Sequence, residues 1–266
     1  MKYLIIIAVI FTVLQTSGCG GTDDRRYSSR PMTRIEVQRI VAIREGRKIP
    51  DLAGKDLSDS NLSEIDFRGA EMKGVSLNGS SLAGANLSNA SLLDADLRGS
   101  ILTNANLENA DLRGAILEGA DLSGANLKGA DLRDTRMAKV VLNKAIIQGV
   151  KLSGAQLPGA KLVGVYLGGG ELSQVNFKGA DLRGSDFSGT ELIDVDFRDA
   201  DLRLAVLSST KMSRVDFRGT KLELADLSFS MIEDVNFSKA DLKRADLNEV
   251  VIKRSKLDGV DMSNAR

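Results

Sequence analysis

Ala110-Asp111-Leu112-Arg113-Gly114 and Ala120-Asp121-Leu122-Ser123-Gly124 are two copies of one five-residue phrase: small apolar, acid, large apolar, variable, glycine. Working outward from Leu112 in steps of five, the large residue returns at all 43 positions from Leu52 to Met262, as Leu, Met, Ile or Phe, with no slip of register. The residue two places earlier is small, as at Ala70, Val75, Ala85 and Ala90, with Ser80, Thr190 or Gly170 as substitutes. Asp or Asn usually stands between them, and Gly often follows two places after the large residue. A period of five fits neither the 3.6 of a helix nor the 2 of a plain strand. Two apolar residues two apart share one side of a short extended segment, and the other residues turn the chain. Self-similarity at a fixed short period marks a solenoid, whose units bury their apolar sides only against neighbours.

The sequence also carries a longer period. Phe177, Phe197, Phe217 and Phe237 recur every twenty residues, each preceded by Val175, Val195, Val215 or Val235. Four units per coil would stack these as a Phe ladder and a Val ladder on one side. The 43 units then make just under eleven coils. At the ~4.8 Å spacing of paired strands, such a rod is about 50 Å long.

The A-(D/N)-L-X-G phrase resembles the pentapeptide-repeat family. The resemblance implies an all-β fold, a right-handed quadrilateral β-helix with four repeats per coil. It also brings two functional expectations. Some members imitate duplex DNA and bind topoisomerases, and some dimerise through the C-terminal end of the rod.

The rest of the chain reads as export and attachment. Residues 1–18 have Lys2, an apolar run from Leu4 to Leu14 and the small residues Ser17 and Gly18, the order of a secretory signal. The run is too short to span a bilayer comfortably, which takes about 20 apolar residues. Cys19, the only cysteine, follows directly. This resembles the lipobox of bacterial lipoproteins, whose Cys is acylated and becomes the mature N-terminus; Thr16 stands where that motif prefers Leu. The resemblance implies acyl chains such as palmitate on Cys19, a membrane partner and a place in the cell envelope, periplasmic or surface-facing. A signal peptide cut nearby, with an incidental Cys, is the plainer alternative. Residues 19–31 then form a polar tether.

Residues 32–50 form a neck. Thr33 and Glu36 have capping-box spacing. Ile35, Val37, Ile40, Val41 and Ile43 follow, with Gly46 as a stop, so a short amphipathic helix is predicted from about Arg34 to Glu45. Its apolar side would cap the first coil of the repeat body, residues 51–266. Residues 20–50 carry eight Lys/Arg against four Asp/Glu, so attraction to anionic headgroups and a simple solvated tether both remain open.

Composition excludes several chemistries. The chain has no His and no Trp, and aromatics are only 4%. Nucleophile systems that use His as base are therefore excluded, and no metal or cofactor is expected. Carboxylate columns such as Asp181–Asp201 leave open a hydrolase of envelope glycans, but Tyr166 is the only Tyr in the repeats, and an aromatic groove is not available. The recurring Asp is better explained as a turn residue. The repeat body carries 27 Lys/Arg against 32 Asp/Glu, and Asp111 with Arg113, Asp131 with Arg133, Asp181 with Arg183, Asp201 with Arg203 and Asp216 with Arg218 alternate in sign. A duplex mimic needs a dense negative stripe, so a nucleic-acid enzyme as target, and nucleic acid itself as partner, are disfavoured. The expected function is a non-catalytic, membrane-anchored rod that binds an unnamed protein or serves as structure.

Two surfaces are candidates for partners. Residues 134–150 lose most of their Gly and put Val141 and Ile146 where Asp or Asn usually sits. One coil later Tyr166 falls above Ile146 and Val163 near Val141, giving an apolar band that marks either a partner surface or drift in a tolerant repeat. At the other end the repeats run through Leu257, Val260 and Met262 with no second helix, so an open final coil is expected to pair with another copy.

Overall fold

The computed structural model describes residues 30–42 and 49–266. The twenty-residue coil is present along the repeat body. Parallel pairing links Asp51 to Glu71, Asp111 to Asp131 and Asp241 to Asp261, always twenty residues apart. Segments long enough to count as strands occur on one side only: β1 (Glu171–Ser173), β2 (Glu191–Ile193), β3 (Lys211–Ser213), β4 (Met231–Glu233) and β5 (Val251–Lys253). They form one parallel sheet in the order β1 to β5, every step in twenty-residue register. The continuous sheet thus spans four steps, fewer than the eleven coils that the period implies; elsewhere the sides meet through single bridges, because each is only a residue or two of extended chain before the next turn.

The turn explains the phrase. In the repeat centred on Leu112, the Ala115 amide donates to the Leu112 carbonyl at 2.9 Å, and Gly114 has φ 69°. Positive φ at the third of four residues, and not at the second, is the pattern of a type II turn. The same fourth position of the unit has positive φ where it is not Gly, at Asn89, Asn104 and Asp94 among others, so the turn imposes the conformation and Gly only relieves it. Just before the large residue, the Asp or Asn carboxyl or amide oxygen accepts the amide two residues on, as Ser123 N to Asp121 at 2.9 Å and Lys128 N to Asn126 at 3.1 Å. This Asx bond satisfies an amide that no coil-to-coil bond reaches.

Coil joins coil through main-chain bonds along the axis. Leu112 N donates to Asp131 O at 2.8 Å, Gly114 N to Arg133 O at 3.1 Å, and Asp111 N to Ala90 O at 3.0 Å. Inside, the large and the small residues of the phrase are buried together, Leu112 and Ala115 completely. A fully buried Leu contributes about 1.5–3 kcal/mol, and the repeat supplies one per five residues. Phe177, Phe197, Phe217 and Phe237 stack as expected, with ring centroids 5.3, 5.0 and 5.0 Å apart and nearly parallel planes. The Val column is buried beside them. Phe187 was not part of that expectation. It projects from the opposite side of the coil and meets Phe177 and Phe197 edge-on.

The ladder is interrupted once among the described residues. The regular coil-to-coil bonds from the amides of Lys144, Ile147, Gly149 and Leu152 to the next coil do not form, nor do those from Tyr166 and Glu171 back to the previous one. The bridges Ile146–Tyr166 and Lys151–Glu171 are missing with them. On either flank the ladder resumes, with Leu142 N to Lys161 O at 2.8 Å and Gly154 N to Ser173 O at 3.0 Å. The result is a seam across two neighbouring sides of one coil.

At the N-terminal end, helix α1 (Arg34–Ala42) lies on the first coils. Thr33 N donates to Glu36 Oε2 at 2.7 Å and Glu36 N to Thr33 Oγ1 at 3.4 Å, so the capping box forms. Val37 and Val41, four apart, are buried in the repeat core, and Met32 and Ile40 pack against it. Arg34 donates to the carbonyls of Asn61 and Ser63, both at 2.9 Å. Ile35 was expected on the apolar side but is exposed, because it lies two residues from Val37, on the other side of the helix. The predicted extension through Ile43 to Glu45, and the stop at Gly46, fall outside the described residues.

Candidate binding surface

Cys19 lies outside the described residues. The mid-length band is present but altered. Ile146, Val163 and Tyr166 are 53%, 37% and 48% exposed, whereas Val141 is half-buried and belongs only to the rim. Tyr166 is held against the wall by a glycine: a Cβ on Gly168 would come within 2.9 Å of the Tyr166 ring and of the Ser188 carbonyl. The band straddles the seam, with Ile146 on its lower lip and Tyr166 on its upper lip. The sequence shows the loss of Gly and Asn here; it does not show that the backbone opens.

The band is also the place where charge changes sign. From residue 135 to residue 170 the chain has no Asp or Glu, but carries Arg136, Lys139, Lys144, Lys151 and Lys161. Lys139, Lys144 and Lys161 have no carboxylate within 4.0 Å among the described residues, while Lys151 stands 4.0 Å from Asp131 and Arg136 pairs with Glu118 at 2.6 Å.

Elsewhere in the repeat body acids outnumber bases, 32 Asp/Glu to 22 Lys/Arg, and many of the acids are paired. Arg113 clamps Asp111, Arg133 clamps Asp131, Arg183 clamps Asp181 and Arg203 clamps Asp201, each with two side-chain bonds of 2.6–2.9 Å. These Arg hydrogen bonds hold the carboxyls below the usual Asp range, against a smaller opposing effect of partial burial. A general acid of a glycosidase needs the opposite shift. The Asp181–Asp201 column is therefore a stack of ion pairs. Among the described residues no cluster of His, Cys, Asp or Glu is placed to hold a metal ion, and no helix is long and apolar enough to cross a membrane.

At the C-terminal end Leu257 and Met262 are 41% and 37% exposed, with Ile252 beside them, and Val260 is partly buried against the core. A further cluster escaped the sequence reading. Leu204, Leu224 and Phe229 are exposed at the turn position with φ of 62°, 61° and 59°. Large apolar side chains in the place of Gly or Asn were the signal for them.

Comparison with known proteins agrees with the repeat. Among curated proteins nothing matches the chain. HetL, a pentapeptide-repeat protein involved in heterocyst differentiation regulation in the cyanobacterium Nostoc sp. strain PCC 7120, is 26% identical over 88% of this chain and 96% of its own, with a TM-score of 0.40. QnrB1, a plasmid-mediated fluoroquinolone resistance protein, is 20% identical over 76% of this chain and 91% of its own, and its TM-score of 0.52 shows a shared fold. The family model for pentapeptide repeats matches residues 51–89, 80–119, 90–129, 120–157 and 232–266. A second model, for a pentapeptide repeat region, matches residues 170–246. Neither reaches residues 158–169, the upper side of the seam. The chain belongs to the pentapeptide-repeat family.

Proposed function

We propose that this protein is a non-catalytic rod of the cell envelope, anchored in a membrane by lipid on Cys19 and presenting its repeat body to a protein partner. The observation that carries the binding reading is the mid-length band, where exposed Ile146, Val163 and Tyr166 coincide with unpaired lysines. The anchor rests on the apolar run that ends in Ser17-Gly18-Cys19; several acyl chains hold a protein on a membrane, where one alone binds only marginally. The neutralised Asp columns weigh against both a hydrolase and a duplex mimic, since a mimic needs its charges bare. Fractionation of cells expressing the wild type and Cys19→Ser, with intact mass of the extracted protein, tests the anchor. Lipid on an N-terminal Cys19, and release of the variant from membranes, is expected. An unmodified Cys19, or a variant that stays on the membrane, rejects it.

A second reading concerns assembly. The exposed Ile252, Leu257 and Met262 suit an end-to-end pairing with another copy, whose last coil would continue the ladder. Leu257→Lys with Met262→Lys should then shift a dimer to monomer in sedimentation without lowering Tm. A monomer in the wild type at high micromolar concentration excludes it.

A further inference from the structure

We propose that the seam and its basic, apolar surround form a docking site for an acidic polypeptide segment in extended conformation, which adds a strand along the seam. The inference deepens the binding reading above and rests on it. Four observations meet in one place. The lower lip offers the unpaired amides of Lys144, Ile147, Gly149 and Leu152 and the unpaired carbonyls of Ala145 and Val150. The upper lip offers the amides of Tyr166 and Glu171 and the carbonyls of Val163, Tyr166 and Gly168. Ile146, Val163 and Tyr166 give apolar contact beside them. Lys144 and Lys161 stand on the side before the seam and Lys151 on the second side of the seam itself, in a stretch without any acid.

The mixture of donors and acceptors selects the class of partner. Main-chain amides left unpaired near apolar surface are costly, and an extended polypeptide supplies both donors and acceptors, as in other cases of strand addition to an open edge. A phosphate polymer or an anionic membrane surface supplies acceptors only, and leaves the Ala145 and Val150 carbonyls unserved. Alternate side chains of a strand point to opposite faces, so a segment that alternates acid and apolar residues would set one face on Ile146, Val163 and Tyr166 and bring the other towards the lysines. Of the nearby acids, Asp131 is clamped by Arg133 and Asp181 by Arg183. Glu171, with Glu191 above it, and Asp186, above Tyr166, have no Lys or Arg within 4.0 Å among the described residues and bound the site on its far side.

The experiment uses the full chain in detergent micelles and two acetylated, amidated heptapeptides, one alternating glutamate and valine, the other lysine and valine. Hydrogen exchange is read at the amides of Ile147, Gly149, Leu152 and Tyr166 against their counterparts one coil away, Leu127, Gly129, Leu132 and Asp186. Without peptide the seam amides are expected to exchange at least about a hundredfold faster than those counterparts. The glutamate peptide should slow them, and should bind roughly tenfold more weakly at high salt or to the Lys144→Glu, Lys161→Glu variant. Ile146→Ser with Tyr166→Ser should abolish binding. Equal exchange at seam and counterparts in the free protein overturns the proposal, as does equal binding of the two peptides. Binding of phosphatidylglycerol vesicles that depends on Lys144 and Lys161 but leaves the seam amides unprotected by the glutamate peptide would instead assign the lysines to a membrane surface, and overturns it too. The measurement is independent of Cys19, so its failure leaves the anchor standing, and loss of the anchor leaves the seam untouched.

Discussion

Phe187 meets Phe197 edge-on, with ring centroids 5.7 Å apart and planes at 90°. The two come from opposite sides of the coil, so the contact crosses the core and locks the Phe ladder from across. Phe177 receives the same edge at 6.2 Å. Removing the ring should cost more than removing a ladder end. Phe187→Ala is expected to lose about 3–5 kcal/mol, and Phe187→Leu less, since it forfeits chiefly the edge contacts, worth about 0.5–1.5 kcal/mol each. Urea unfolding of both variants beside Phe237→Leu, which has only one stacked neighbour, checks the order.

Adjacent residues in one repeat should respond in opposite ways. Leu112 is fully buried between two coils, and Leu112→Asp places an uncompensated charge there, expected to cost several kcal/mol. Arg113 reaches into solvent to clamp Asp111, and Arg113→Ser should leave Tm nearly unchanged at neutral pH. Thermal melts of the two variants give the comparison, and equal losses would reverse the assignment of inside and outside.

The Asp–Arg clamps carry a pH signature. Asp111, Asp131, Asp181 and Asp201 have carboxyl groups held below the ordinary value of 3.8 by their Arg partners. A carboxyl depressed in the folded state stabilises fully above its unfolded value, and the contribution fades as pH falls through the folded value. Replacing Arg113, Arg133, Arg183 and Arg203 together by Gln should therefore lower Tm at pH 7 more than at pH 2.5. A gap between variant and wild type that widens on acidification would contradict the clamps.

Leu204, Leu224 and Phe229 occupy turn positions that Asn89, Asn104 and Asn109 fill elsewhere at a similar positive φ. A left-handed conformation costs a residue other than Gly, Asn or Asp about 1 kcal/mol. Leu204→Asn and Phe229→Asn should each raise stability, by about 0.5–1 kcal/mol. A loss in both would show that these side chains hold something in place.

Much of this could be read in advance, for a reason visible at Leu112. Its side chain sits in the core because the phrase around it is repeated above and below, and a constant period needs no tertiary knowledge to be extended from Leu52 to Met262. The Phe ladder followed from the same arithmetic. Phe187 did not, since its contact depends on the width of the coil and on the height it gains half a turn from Phe177. Helix α1 was legible at its cap, in Thr33 and Glu36, and less so in its burial, where Val37 and Val41 face the core and Ile35 does not. The seam was legible only as a change of composition. Gly and Asn give way to Val141 and Ile146, but which bonds then fail is decided by the backbone between Lys144 and Leu152. The lysines around it were individually ordinary; their meaning lies in the missing acids from 135 to 170.

The twenty-residue register also governs how such a chain can change length. The main chain of each side pairs only with the same side one coil away, from Asp51–Glu71 to Asp241–Asp261. A duplication or deletion of twenty residues lengthens or shortens the column and returns every later residue to its own side. A change of five keeps the core intact, leucine for leucine, yet rotates everything beyond it by a quarter turn, parting Phe197 from Phe217 and moving whole surfaces to new bearings. Inherited growth in whole coils preserves what the rod displays; growth in single units redraws it while leaving the fold untouched.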